Sequence, residues 1–282
     1  HKQLQFLCLS SLFILFVGCK GGEVPTWEED FKLSIMSFNL RFDTEEDGDN
    51  KWDNRKEACL SMLGESNPSI FGIQEGLQSQ VSFLDENLPD YHYVGVGRDD
   101  GETAGEYSAI YYLKDRFELL DQGNFWLSES PDVPSLGWDA NNIRIVSWAA
   151  LQDREHNKTL YVFNTHFDHK GKTAREESAK LIIEKVKEIA TAEAAVYLIG
   201  DFNVLAGNSV LEPILDEYDD ARQYAGRGEA KSYNGWGRWY LNRDIDFIFF
   251  KNVEGLSFQT ISADYGVPYL SDHYPIIGYF KY

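Results

Sequence analysis

Two segments, "YVFNTH" (161–166) and "VYLIGDFN" (196–203), constrain the fold of this chain more than any other feature. Each begins as an apolar run of the length a buried strand needs. Each then stops on residues that a strand interior rejects: His166 in the first, Asp201 and Asn203 in the second. Short continuous apolar runs bounded by turn residues read as strands covered on both faces. The pattern recurs along the chain. "LSIMSFN" (33–39) ends in Asn39 and "SIFGIQE" (69–75) in Glu75. "RDIDFIFF" carries Asp246 at its head, and "LSDHYPIIGYF" sets Asp272 and His273 just before the last run. Further strands are predicted at 108–112, 145–151, 160–165, 196–199, 245–250 and 274–280.

Between these runs the spacing turns helical. A helix is predicted over 54–63, with Asn54 at its cap and Gly64 after its end. A longer one is predicted over 174–192, where Ala179, Ile182, Ile183, Val186, Ile189 and Ala190 share one face. Thr173 and Glu176 have the spacing of a capping box at its start. Many strands with few helices imply an α/β fold, two sheets packed together and covered by helices. The 282 residues suit one large α/β domain or two small ones. No linker-like stretch interrupts the chain from Phe31 onward, so one domain over 31–282 is the simplest organisation.

The N-terminus reads differently. Lys2 precedes the apolar "LQFLCLSSLFILFVGC", too short to span a bilayer comfortably and typical of a secretion signal. Its end, Phe16-Val17-Gly18-Cys19, resembles the bacterial lipobox, with Phe16 where leucine is preferred. That resemblance implies a lipoprotein-type signal peptide over 1–18, lipidation of Cys19 and a flexible tether over 19–30. The protein would then be exported and held on a membrane, facing the periplasm or the cell exterior. The alternative is a plain signal or an uncleaved anchor. Cys59 would be the one cysteine of the mature chain, giving neither an intramolecular disulfide nor a cysteine zinc site, and it reads as a small core residue.

The polar strand ends can share a cleft. Glu75, Asp272 and Asn39 offer hard oxygen ligands, which suit Mg²⁺ or Mn²⁺ more than zinc. His166 and His273 are available for proton transfer or for hydrogen bonding to an anionic oxygen. Asp201 could activate a water that Asn203 positions. No nucleophile elbow, P-loop or dinucleotide fingerprint is present, so the inventory supports metal-assisted hydrolysis by water. Each residue also has a structural reading: an Asx turn at Asp201 and Asn203, a solvated strand end at Glu75, a turn at Asp272-His273, a satisfied structural histidine at His166. The formal net charge of −20 argues against charge-driven capture of nucleic acid without excluding it as a substrate, because a metal site supplies positive charge locally.

In that order, "SFNLR", "IQE", "NTHFDH", "GDFN", "DIDFIF" and "SDHYPI" resemble the endonuclease/exonuclease/phosphatase superfamily over about residues 31–282. The resemblance implies a four-layered α/β/β/α sandwich of two mixed sheets flanked by helices. It implies hydrolysis of phosphate esters with one or two divalent cations. Glu75 is similar to the principal metal ligand, supported by Asn39 and Asp272. Asp201 matches the residue that orients or deprotonates the water, and Asn203 the one that holds the water or a phosphate oxygen. Asp246 would pair with His273, which would stabilise charge on phosphorus or act as base. His166 would contact a non-bridging oxygen or assist the leaving group.

Departures narrow the substrate. Arg41 stands where apurinic-site endonucleases usually have aspartate, and His166 where they commonly have tyrosine. "NRDIDFIF" lacks the Cys-Asp-Arg segment of inositol phosphatases. The opening "SFNLRFD" with "DGDNKWDNRK" is similar to a bacterial set. Arg41 and Arg243 are candidates for binding the substrate phosphate. Lys51, Arg55, Lys56, Arg144, Lys170 and Lys172 read as solvated or ion-paired surface charges. Trp52, Trp236 and Trp239 read as core or rim residues, with base or sugar stacking as the alternative. The expected activity is a phosphodiesterase or nuclease. Hydrolysis of a small sugar phosphate, nucleotide or phospholipid headgroup is the alternative, and a silent binding lipoprotein a third reading. No protein partner is expected, and the protein is read as a monomer.

Overall fold

A computed structural model of the chain describes residues 33–282. The segments read as a signal peptide (1–18) and a tether (19–30), with Cys19, lie outside the described residues. The strands are β1 Leu33–Asn39, β2 Ile70–Gln74, β3 Tyr91–Val94, β4 Ile110–Leu113, β5 Phe117–Trp126, β6 Ile145–Asp153, β7 Lys158–His166, β8 Ala195–Asp201, β9 Asp219–Asp220, β10 Asp246–Lys251, β11 Glu254–Thr260 and β12 Ile276–Lys281. The principal helices are α1 Trp52–Ser66, α2 Gln78–Asn87 and α3 Lys172–Ile189.

One six-stranded sheet has the order β11-β12-β1-β2-β4-β3 and the other β5-β6-β7-β8-β10-β9. Each contains one parallel pair near its centre, β1 with β2 and β7 with β8, among antiparallel neighbours. A parallel pair requires a crossover, which α1 and α3 supply. The space between the sheets is filled by Ile35, Ile70, Val162, Tyr197, Ile199 and Phe280 among others. α1 and α2 cover the outer face of the first sheet through Met62, Leu63, Val81 and Leu84. α3 covers the second through Ala179, Ile182 and Val186. The architecture is the expected sandwich.

Near the site the two sheets are also joined by amides. Gln74 donates to Asn164 Oδ1 at 2.7 Å, and Asn164 donates to the carbonyls of Ile73 and Ala109, both at 2.8 Å. Gly72 makes that approach possible, because a Cβ there would lie 2.7 Å from the Asn164 side chain.

Both predicted helix starts need correction. α1 begins at Trp52, so Asn54 sits in its first turn, and Gly64 lies inside the helix. The chain leaves α1 at Asn67, which has a left-handed φ of 37°. α3 begins at Lys172, which places Thr173 within the first turn and precludes a Thr173–Glu176 box. The orphan N–H groups of Thr173 and Ala174 are instead accepted by the distant Asp139 carboxylate at 3.2 and 2.7 Å.

Candidate active site

Strand register gathers the polar ends. In the parallel pair β7/β8, His166 lies opposite Asp201, and in the antiparallel pair β8/β10 Asp201 lies opposite Asp246. In β1/β2, Asn39 lies opposite Gln74, so Glu75 emerges beside it. His273 arrives from the loop before β12, bridged to Tyr233, whose ring packs 4.8 Å from its own. These groups converge on a cleft of about 470 Å³, lined also by Arg41, Glu106, Asn142, Arg144, His169 and Arg243.

Three non-glycine residues at this cleft have left-handed backbones: Arg41 (φ 57°), Glu75 (61°) and Asn203 (51°). That region is unfavourable for side chains with a Cβ, and its clustering at one cleft marks a functional constraint. Gly200 acts earlier than a turn. It stays within β8, where its φ of 148° allows close contact with the Thr165 carbonyl that a Cβ would prevent. The chain turns after Asp201, whose Oδ1 accepts the Asn203 N–H at 2.9 Å. The Asx turn and the site are therefore one structure.

Asn39 organises the carboxylates. Its Oδ1 accepts the Arg41 N–H at 2.9 Å, which fixes the amide so that Nδ2 donates to Glu75 Oε1 and Asp201 Oδ2, both at 3.1 Å. Asn39 thus presents N–H groups to the acids. Glu75 also accepts from the Phe42 N–H at 3.3 Å. Asp272 accepts from Ser271 Oγ at 3.3 Å. Asn203 uses its amide nitrogen on His166 Nε2 and on the Phe167 carbonyl, both at 3.0 Å, and so offers its own oxygen to the cleft. Because His166 Nε2 accepts, a neutral imidazole carries its proton on Nδ1, on the side facing Glu106, 3.9 Å away.

The charges are unequal. Burial, and then repulsion from Asp246, raises Asp201 to about 7. Burial alone would lower His273, but the charge and 2.8 Å hydrogen bond of Asp246 raise it to about 10. Nδ1–H donates to Asp246 Oδ2, leaving Nε2–H for the cleft, 3.7 Å from Asp201. His166 shifts the opposite way: burial, Arg144 and Arg98 lower it well below the usual value. The donor set fits a hard cation. Glu75 and Asp272 both line the cleft, where burial raises Asp272 and the nearby Glu75 charge adds to the rise, and ligand atoms of Glu75, His166 and Asp201 lie within 4.8 Å of one another.

All the strand-end residues singled out by sequence, Asn39, Glu75, His166, Asp201, Asn203, Asp246, Asp272 and His273, meet at this cleft or directly behind it. Of the candidate phosphate binders, Arg243 is exposed at its lining, whereas Arg41 makes a bidentate pair with Asp47 at 2.9 and 3.0 Å. Two arginines expected at the surface are buried: Arg55 is 1% exposed and Arg144 4%. Trp52, the first residue of α1, is a core residue, and Cys59 is buried as expected.

The sequence does not single out Glu106, Tyr233 or the buried state of Arg144. Glu106 binds Arg98 through a 2.5 Å ion pair, and burial raises its pKa. Arg144 Nε forms an ion pair with Asp168 at 3.7 Å and Nη1 one with Glu106 at 3.9 Å, neither close enough to be a hydrogen bond, while Nη2 lies 3.4 Å from His169. The available signal was position, since Glu106 and Arg144 stand just before apolar runs as the other site residues stand at run ends.

Residues 36–273 match the Endonuclease/Exonuclease/phosphatase family. An endonuclease/exonuclease/phosphatase from Bacteroides vulgatus is 38% identical, with a TM-score of 0.84 over 88% of this chain and 98% of that one. The mannosyl-6-phosphatase Bt3783 of Bacteroides thetaiotaomicron is 33% identical, with a TM-score of 0.81 over 89% of this chain and 100% of that one. The human Nocturnin catalytic domain, at 16% identity, covers 89% of this chain and 93% of that one with a TM-score of 0.70, a likeness of fold alone.

Proposed function

The chain belongs to the endonuclease/exonuclease/phosphatase family, and from that premise we propose that it hydrolyses a small phosphate ester with the help of a divalent cation. The observation that carries this reading is the excess of carboxylate at one small cleft: Glu75, Asp201 and Asp272 line it, with Asp246 behind His273. Glu75 and Asp272 would hold Mg²⁺ or Mn²⁺ through hard oxygens, with Asn39 orienting Glu75. When bound, the cation supplies Lewis-acid stabilisation of charge on the phosphoryl group.

The chain's own residues do the rest. Asp201, near 7, is suited to take a proton from the attacking water, and the open Asn203 oxygen holds that water in place. His273, cationic through Asp246, directs Nε2–H at the phosphoryl oxygen where negative charge grows. His166 is kept neutral and serves as an acceptor that fixes Asn203. Arg144, whose Nε and Nη1 make long ion pairs but no hydrogen bond, supplies donors for substrate oxygens.

A small substrate is favoured over a polymer. The cleft of about 470 Å³ is of small-ligand size, and a net charge of −20 repels extended polyanions. A relative at 33% identity carries the name mannosyl-6-phosphatase, which points to a sugar phosphate. Assaying sugar phosphates, nucleotides, sphingomyelin, RNA and plasmid DNA with Mg²⁺ or Mn²⁺ tests this. Phosphate release from a sugar phosphate, abolished by chelation and by Glu75→Ala, is expected. Cleavage of nucleic acid alone would restore the nuclease reading, and turnover unaffected by either treatment removes the metal. For location, we propose a lipid anchor on Cys19; failure to incorporate labelled palmitate in a bacterial host, with loss of label in Cys19→Ala as the control, removes it.

A further inference from the structure

Arg55 has no place in the chemistry above, yet it is among the largest fully buried side chains of the protein. All four of its recorded hydrogen bonds end on backbone carbonyl oxygens. Nε donates to Asn50 at 2.9 Å, Nη1 to Leu40 at 2.5 Å and to Leu270 at 2.9 Å, and Nη2 to Arg41 at 2.8 Å. Its guanidinium also lies 5.1 Å from the Trp52 ring and 5.6 Å from that of Trp236. Desolvating a cation is costly, and a well-packed apolar side chain would serve simple core filling better. What a guanidinium offers instead is a rigid fan of N–H donors that reaches several acceptors at once.

Three of the four acceptors lie on the segments that carry Asn39 and Asp272, and the fourth, Asn50, lies just before α1. Leu40 and Arg41 follow Asn39, and Leu270 precedes Asp272 by two residues. Arg41 is held in its left-handed conformation, from which its N–H fixes Asn39 Oδ1. The Arg41 carbonyl is gripped a second time by Gln80, which is fully buried, at 3.0 Å. Gln80 Oε1 in turn accepts the N–H groups of Asp43 at 3.0 Å and of Leu77, two residues beyond Glu75, at 3.1 Å. Through these two side chains, the segments bearing Asn39, Glu75 and Asp272 are tied to one another.

We propose that Arg55, with Gln80, is the positioning residue of the cation site: by bracing these segments it sets the placement of Glu75 and Asp272 and so the affinity for a divalent cation. The proposal rests on the metal-dependent reading given above. Arg55 contacts neither cation nor substrate; its influence runs through backbone carbonyls to the ligands.

Geometry and charge predict opposite signs, which makes the idea testable. A buried positive charge near acidic ligands disfavours a cation, so if charge were its role, Arg55→Met would tighten binding and Arg55→Lys would leave it unchanged. If bracing is its role, both weaken it, because an ammonium is a point donor that cannot span the segments. Mn²⁺ affinity of the full chain would be measured by titration calorimetry, with Tm recorded for every variant. Loss of an outer partner of a metal ligand costs roughly 10–100-fold in affinity, and that range is expected for both Arg55 variants. Arg116→Met, which removes a half-buried arginine paired with Asp153 at the far end of β6, serves as the stability control and should lower Tm while leaving Mn²⁺ affinity unchanged. Unchanged or tighter binding in folded Arg55→Lys and Arg55→Met overturns the proposal, as does an equal loss in Arg116→Met. If the Arg55 variants do not fold, Gln80→Met decides: weaker Mn²⁺ binding supports the brace and unchanged binding overturns it. A wild-type protein that binds no Mn²⁺ removes the metal reading itself, whereas normal wild-type binding with unchanged variants removes Arg55 alone.

Discussion

β6 and β7 carry a buried aspartate cluster at one end and adjoin another at the opposite end, and the two have opposite electrostatic characters. Asp153, at the far end, receives the N–H groups of Glu155 and His156 on Oδ1, at 2.9 and 3.3 Å. Arg116, His156 and Tyr282 approach Oδ2 at 2.7, 3.1 and 3.0 Å. Burial would raise Asp153, but its hydrogen bonds to Arg116 and His156 outweigh that and lower it. Asp201, at the other end, has amide donors and lies near Asp246, and it rises to about 7. Arg116 pairs with its carboxylate at hydrogen-bond distance, whereas Arg144 meets Asp168 and Glu106 only across 3.7 and 3.9 Å, with no hydrogen bond at Nε or Nη1. Asp–His clusters alone therefore do not define a site. A site is marked by charge and donors that the protein itself leaves incompletely matched.

The comparison can be broken most sharply at Asp246. Asp246→Asn should lower kcat by about 10²–10⁴-fold, the scale seen when an aspartate that orients a catalytic histidine is neutralised. The pH dependence carries the sign. Asp246 raises His273 to about 10, so the imidazolium is present below that value and lost as pH rises through it. Without Asp246 the loss shifts toward the ordinary histidine range near 6.5, so the rate ratio of variant to wild type should fall from pH 6 to pH 8. A constant ratio across that range would count against an electrostatic role.

A smaller effect is expected at Arg144. Arg144→Met should raise KM by about tenfold, the loss of one charge-assisted contact, with a lesser change in kcat. An unchanged KM would mean that these donors do not face substrate.

The smallest effect on activity belongs to the far end. Asp153→Asn should leave kcat and KM unchanged while costing about 1.5–3 kcal/mol of stability, because Arg116 would exchange a charge-assisted bond for a neutral one and keep only Glu155 as an ionised partner. The stabilisation from the lowered Asp153 pKa is fully present above the ordinary aspartate value and lost as pH falls through the lower folded value. The stability gap between variant and wild type, measured by denaturant unfolding, should therefore narrow toward acid pH. A loss of activity without a loss of stability would show the two ends to be coupled.

The legibility of the fold follows from burial. The eight strands predicted from apolar runs are the interior strands of the two sheets, and the four without such a signal, β3, β5, β9 and β11, are their edges. β5 shows why: its middle residues are mostly exposed, so it lacks the continuous apolar signature of a doubly covered strand. Arg55 was legible in principle. Trp52, Arg55, Cys59 and Met62 follow a helical spacing, and all are buried on one side of α1, but the flanking charges in "DNRKE" mask that stripe.

By itself the sequence determined the interior strands, the polar residues that end them and the family they resemble, because a covered strand must be apolar and must stop where a charge begins. The tertiary structure alone decided which charges are satisfied. It gave Asp153 an arginine, kept Asp201 without one, turned the Asn39 amide toward the acids and placed Arg55 beneath the loops. Those outcomes depend on distances between segments as far apart as Leu40 and Leu270, set by sheet register and packing that no local pattern records.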